Sequence, residues 1–296
     1  MDALSGVLAA LGVEADRLEP TRAEDEASFG NGNWHLWTPN GEHHILRRYH
    51  VLHTEANLAY EARVLEHVAA RGWCVPVQVV PPVRYDGHLW AVTRFVPGRP
   101  HREETAAQRA ERGALLARLH ADLRGLDLGP REGFFQAADL DAMGEFQGWD
   151  RGVELLREQR PELADRSERA MQRAKELVVA HDLLGLPQTI VHGDFASWNL
   201  HFDDDGRFAG VIDFALCHPD SRAWDFVIAR VHRAPEMIDG YQRAAADPLS
   251  DRELAAIEPL QAVLRVLMVM AELWDGQHIG RFDEAMIARQ LAKAKS

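Results

Sequence analysis

Three polar residues within one short stretch have the types and spacing needed to handle a phosphate and a hydroxyl. In TIVHGDFASWNLHFDDDGRFAGVIDF, which begins at Thr189, Asp194 follows an apolar run, Asn199 comes five residues later, and Asp213 ends a second apolar run. A carboxylate at the end of a strand can accept a proton from a hydroxyl, whereas an amide oxygen and a second carboxylate are hard oxygen ligands suited to Mg²⁺. One reaction can use all three only if the chain gathers them. The strand Thr189 to Val191 would deliver His192-Gly193-Asp194 at its end, and the turn Asp203-Asp204-Asp205-Gly206 would return Asp213 beside Asn199. That acidic turn reads as a solvated hairpin turn, because no Glu follows it at calcium-loop spacing.

HGDFASWNLHF followed by GVIDF resembles the catalytic loop and metal-binding strand of the aminoglycoside phosphotransferase and choline kinase family, relatives of the protein kinases. The family pattern H-G-D-x-x-x-x-N then I-D-F or I-D-W parallels the H-R-D-x-x-x-x-N and D-F-G elements of protein kinases. One tripeptide is a weak signal; order, spacing and strand context together carry the match. The resemblance implies that Asp194 is the catalytic base, Asn199 and Asp213 are Mg²⁺ ligands, and His192 is a structural member of the loop. It also matches Asp225, in Asp225-Phe226-Val227-Ile228-Ala229, to an aspartate that buttresses the catalytic loop. Asp220 and Ser221 read more simply as helix caps.

The elements that would position these residues follow in chain order. Residues 1 to about 20 carry apolar positions at helical spacing (Leu4, Val7, Leu8, Leu11) and break at Pro20. From Asn33 to Tyr49 the period falls to two, giving a hairpin over 33–38 and 42–49 around Pro39-Asn40-Gly41. The run Ser28 to Asn33 has G-x-G but no third glycine. The resemblance makes Gly30 and Gly32 nucleotide contacts, where an ordinary turn is the alternative. Arg47 occupies the place of the kinase strand lysine, a departure from that pattern. Its charge and bidentate reach suit phosphate, although the pleat alone leaves Arg48 as a second choice. The helix Thr54 to Arg71 carries Glu61, which the resemblance pairs with Arg47; Glu55 and Glu66 read as surface. Strands over 76–80 and 88–96 lead to Pro97-Gly98, and the resemblance has Arg94 to Val96 meeting adenine through main chain.

Beyond Arg102 the pattern is helical. Gln108 to Leu123 is amphipathic, and His120 within it reads as a core or surface histidine. Residues 125–150 read as a long irregular connection, either packed surface or substrate-facing. Helices follow over about 151–160 and 162–184. Asp251 to Trp274 shows a stripe of Leu260, Leu264, Leu267 and Met268, and Trp274 reads as core.

Composition limits the function classes. A chain of 296 residues can hold two lobes, and 46% hydrophobic with 27% charged residues is ordinary for a globular protein. The net charge of −13 disfavours a nucleic-acid surface. No apolar run looks long enough to span a membrane and the N-terminal flanks are acidic, so a cytoplasmic protein with no membrane partner is expected. Cys74 and Cys217 are far apart and read as reduced, buried thiols.

The fold expected is α+β and protein-kinase-like, with a small N-terminal lobe (residues 1–96) of five antiparallel strands and a larger helical lobe (97–296). The function expected is an ATP- and Mg²⁺-dependent kinase acting on a small-molecule hydroxyl: an aminoglycoside, homoserine, choline or a sugar-like metabolite. The sequence does not choose among these acceptors. The alternative is a nucleotide-binding pseudokinase serving as scaffold or sensor, motivated by Arg47 and the incomplete glycine loop. Protein kinase activity fits less well, because H-R-D, D-F-G and A-P-E are missing.

Overall fold

The computed structural model describes residues 2–21, 32–50, 53–227 and 234–293. Its first elements are helix α1 (Asp2–Leu11), strands β1 (Arg17–Pro20), β2 (Gly32–Trp37) and β3 (His43–Arg48), helix α2 (Glu55–Ala69), and strands β4 (Gln78–Tyr85) and β5 (His88–Arg94). The strands pair antiparallel in the order β1-β2-β3-β5-β4. Alternation gives this sheet two faces. One packs Leu36, Leu46, Trp90 and Val92 against Val7 and Leu11 of α1. The other carries Tyr49 and Ala91 to Leu58 of α2. Thr54 caps α2 by accepting from the Asn57 N–H.

The later elements are helices α3 (Ala106–Leu123), α4 (Leu140–Gln147), α5 (Trp149–Gln159) and α6 (Pro161–Ala180), then strands β6 (Gln188–Val191), β7 (Leu200–Phe202), β8 (Phe208–Val211) and β9 (His218–Ser221). Helices α7 (Pro235–Ala244), α8 (Asp251–Ile279) and α9 (Glu284–Lys293) follow. By contacts the chain divides into two units, one made of Met1–Glu103 with Ala196–Leu216, the other of Glu104–Phe195 with Cys217–Ser296. The β7–β8 hairpin thus joins the first unit, although it lies far beyond residue 96 in sequence. It is tied there by the Val211 N–H to Cys74 O (3.1 Å) and by a reciprocal pair between Arg99 and Phe202 (3.0 Å each). Gly98 makes that approach possible: its φ is +86, and a Cβ would lie 2.5 Å from Phe202 O.

In the second unit Val153, Leu156 and Ala164 pack on Val269 and Leu273 of α8 and on Ile287 and Leu291 of α9. Helices α3 and α7 meet through two glycines. A Cβ at Gly113 would fall 1.9 Å from Met237 O, and one at Gly240 2.0 Å from Ala110 O. Capping boxes close the N-termini of α3 (Thr105 with Gln108) and α8 (Ser250 with Glu253).

Several expectations change. Residues 125–150 are not wholly irregular, since Asp139 caps α4 within them. The buried stripe of α8 is Ala256, Ile257, Leu260, Val263, Val266, Val269, Met270 and Leu273; Leu264, Leu267 and Met268 are only partly buried. By length and composition α8 is also apolar enough to cross a membrane, contrary to the sequence reading, and 44% of that window is buried in the fold. Cys217 is buried but Cys74 only half-buried. Asp220 lies in β9 and accepts the Ala137 N–H (2.8 Å) rather than capping a helix, a role Ser221 takes for the following 3-10 turn.

Candidate active site

Arg47 reaches the α2 face of the sheet because β3 alternates, which leaves Arg48 on the opposite face near the rings of Trp34 and Trp90 (6.0 Å each). The buried Arg47 guanidinium donates from Nη2 to Asp213 Oδ1 at 3.3 Å and lies 3.8 Å from Glu61 Oε1 through Nη1. It also lies 4.7 Å over the Tyr49 ring. Burial opposes its charge, yet Tyr49, Glu61 and Asp213 outweigh burial and raise its pKa. The Tyr49 phenol is raised chiefly by burial and then by Glu61, so it stays protonated. Glu61 is only 2% exposed, whereas Asp213 is 45% exposed, so a ligand can approach Asp213.

The hairpin sets Asp213. Leu200 pairs with Val211, and the Ile212 N–H donates to Asn199 O at 2.9 Å, which holds Asn199 and Asp213 at the same end. Asp213 leaves β8 with φ +64, a left-handed conformation that aspartate tolerates better than most residues. An amide oxygen and a carboxylate are the donor types that a hard divalent cation takes. Among the described residues no group of three or more His, Cys, Asp or Glu forms a metal cluster. A cation held by Asn199 and Asp213 would fill the rest of its shell with water or phosphate oxygens.

Asp194 belongs to the other unit, at the end of β6. Gly193 turns with φ +84, and the Asp194 N–H donates to Nδ1 of the buried His192 at 3.3 Å. Asp225 fixes this turn from beneath. Its Oδ2 accepts the His192 N–H (3.0 Å) and its Oδ1 the Gly193 N–H (2.7 Å). His120 Nε2 also bonds Asp225 Oδ2 at 3.0 Å. Burial would raise the Asp225 pKa, but the bonds from His120 and His192 outweigh it and hold the carboxyl below its usual value. Two bonds from Arg112 to Glu104 (3.0 and 2.8 Å) place Arg112 Nη1 3.4 Å from Phe195 O, just beyond Asp194.

Among the remaining sequence-predicted residues, Gly32 opens β2 opposite Arg48, and a Cβ there would meet the Trp34 ring at 2.4 Å. Gly30 lies outside the described residues. Arg94 is exposed at the end of β5, and Val96 is buried with its carbonyl accepting from His201 Nδ1 at 3.1 Å. Glu55 and Glu66 are exposed, as expected of surface residues. Sequence reasoning missed His120, Tyr241, Arg222 and Arg112. The available signal was a polar residue on the buried side of α3: His120 lies four residues after the buried Leu116 and three before the buried Leu123.

The α+β fold matches that of kinase-like phosphotransferases. The chain belongs to the phosphotransferase enzyme family, whose model matches residues 22–260, and it is a small-molecule kinase acting on a hydroxyl. A homoserine kinase of Granulibacter bethesdensis is 28% identical over 266 residues, covering 83% of this chain and 78% of that protein. A homoserine kinase of Acidiphilium cryptum is 26% identical, with 88% and 82% covered. In fold, the chain is similar to a microcompartment-associated aminopropanol kinase (TM-score 0.71, 16% identity, 100% and 94% covered). It is also similar to an amicoumacin kinase in complex with AMP-PNP, Ca²⁺ and Ami (TM-score 0.70, 16% identity, 99% and 93% covered). A choline kinase of Streptococcus pneumoniae gives a TM-score of 0.67 at 14% identity, with 99% and 96% covered.

Proposed function

We propose that the chain transfers the γ-phosphate of ATP to the hydroxyl of a small amino alcohol, with homoserine as the first acceptor to try. Supporting the acceptor class are the homoserine kinases that align over most of this chain. The single observation that carries the chemistry is the Arg47–Asp213–Glu61 cluster: a buried cation held between one buried and one accessible carboxylate. Arg47, steadied by Glu61, would bind nucleotide phosphate, and Asn199 with Asp213 would hold Mg²⁺. When bound, the metal neutralises charge on the phosphates. Asp194 would accept the proton of the acceptor hydroxyl, held in place by the Asp225 bonds to the preceding two amides. Gly30 and Gly32 would lie along the phosphates and the main chain of Arg94 to Val96 along adenine; the Val96 carbonyl keeps a second lone pair beside the His201 bond. In this reading residues 1–96 bind the nucleotide, residues 97–296 supply the catalytic groups and bind the acceptor, and the protein works in the cytoplasm.

The test is ADP release with ATP and Mg²⁺ against homoserine, choline, aminopropanol and an aminoglycoside, with Asp194→Asn as the blank. Turnover with one acceptor that falls at least about 10²-fold in the variant, with ATP binding retained, supports the assignment. Turnover retained in Asp194→Asn would remove the base role. Mg²⁺-dependent ATP binding without turnover on any acceptor would favour the pseudokinase reading.

A further inference from the structure

The bond between His120 and Asp225 is one link of a longer buried chain, and that chain runs to the start of α8. His120 Nδ1 lies 3.0 Å from the Tyr241 hydroxyl, and Arg222 Nη1 lies 3.4 Å from the same oxygen. Arg222 is fixed in turn by two 2.9 Å bonds to the carboxylate of Glu253 and one of 2.8 Å to Asp247 O. Glu253 is buried and closes the α8 capping box, accepting from the Ser250 N–H and hydroxyl at 2.9 Å. A carboxylate only accepts, so His120 carries a proton on Nε2; where that is the only proton on the ring, Nδ1 accepts. Burial, the largest influence, raises the Tyr241 pKa to about 12, so the hydroxyl keeps its proton to donate. In that tautomer every donor in the series points the same way: Arg222 to Tyr241, Tyr241 to His120, His120 to Asp225, with Asp225 accepting the two loop amides.

We propose that Tyr241 and Arg222 are positioning residues. By donating to Nδ1, Tyr241 selects the His120 tautomer that serves Asp225, and Asp225 then fixes the backbone that presents Asp194. In the opposite tautomer the Nε2 lone pair would face the Asp225 carboxylate, and the grip on the His192 and Gly193 amides would loosen. Arg222 lies three residues before Asp225 on the same 3-10 turn, so it holds that turn at one end while orienting Tyr241 at the other. The catalytic consequence rests on the reading of Asp194 as base.

The experiment compares the whole chain with Tyr241→Phe, Arg222→Lys, which should show the same changes in smaller degree, His120→Gln and His120→Leu. Amide hydrogen exchange of His192 and Gly193 and the ¹⁵N shifts of the His120 ring need no acceptor. In Tyr241→Phe we expect those two amides to exchange about tenfold faster while amides of α5 and α6 keep their protection. The ¹⁵N shifts should leave the pure Nε2–H pattern. On the acceptor that the wild type phosphorylates, kcat should fall about tenfold with KM for both substrates within about twofold. His120→Gln, which keeps an N–H directed at Asp225, should retain more kcat than His120→Leu. Unchanged exchange and ring shifts in Tyr241→Phe would overturn the proposal, as would protection lost uniformly across the helices. A wild-type chain that turns over no acceptor would sink the Asp194 reading, leaving the exchange and shift data to decide the relay by themselves.

Discussion

Asp213 combines two demands in one side chain: a left-handed backbone (φ +64) and a carboxylate shared with Arg47. Asparagine also tolerates that backbone, whereas alanine there costs about 1 kcal/mol. Asp213→Asn should accordingly keep thermal stability near the wild-type value, while Asp213→Ala melts lower, and both should lose at least about 10²-fold in metal-dependent turnover. A drop in stability equal in both variants would mean that the carboxylate, not the backbone, dominates at this position. Asp194, Asn199 and Asp213 could be proposed from the sequence because the motif is compact and its hairpin turn is local, and the structure puts Asn199 and Asp213 at one end of that hairpin. Arg47 over Arg48 rested on the resemblance to the kinase strand, because the pleat alone left Arg48 as a second choice. His120 and Tyr241 were not legible: each meets its partner across more than 100 residues, and a lone polar residue in an amphipathic helix looks the same whether it is a relay or a surface group.

Helices α3 and α7 are held in contact by geometry and by charge. The glycine pair lets backbone meet backbone, and Arg109 adds two 2.9 Å bonds to Glu236. Gly113→Ala has no flexible side chain to push aside, only backbone, the Met237 carbonyl and the Tyr241 nitrogen, so it should cost about 3 kcal/mol or more in a denaturant melt. The Arg109 bonds depress the Glu236 pKa from 4.5 to about 2. With the folded value below the unfolded one, this pair stabilises above pH 4.5 and its contribution is lost as pH falls toward 2. Arg109→Ala should flatten that part of the stability curve against pH. At this scale the sequence showed the strongly periodic elements, and its misses have local causes. Strand β1 is four residues ending in Pro20, and β9 reads His-Pro-Asp-Ser; both are strands only because β2 and β6 offer them a ladder. The α8 stripe was misplaced because Val, Leu and Met occupy nearly every face of that helix, so periodicity could not choose the buried one.

For the whole molecule, the division into units follows contacts rather than chain order, with the hairpin of residues 196–216 completing the first unit. A fragment ending at Glu103 should therefore lack stable tertiary structure, with poor dispersion in its amide NMR spectrum. A peptide spanning 196–216 added in trans should improve that dispersion. A well-dispersed spectrum of the fragment alone would show that the hairpin is dispensable to that core. The sequence conveyed the kinase-like class, because motif order survives divergence. It did not convey which segments belong together, because the Arg99–Phe202 and Cys74–Val211 pairs are backbone bonds that side-chain patterns do not encode. The interleaving also has a consequence for synthesis. The ribosome makes most of the first unit early, yet its closing hairpin emerges only after residues 104–195, a delay on the order of ten seconds at usual elongation rates. Through that interval the Cys74 and Arg99 carbonyls bond water instead of the hairpin, and the first unit stays open until residues 196–216 arrive.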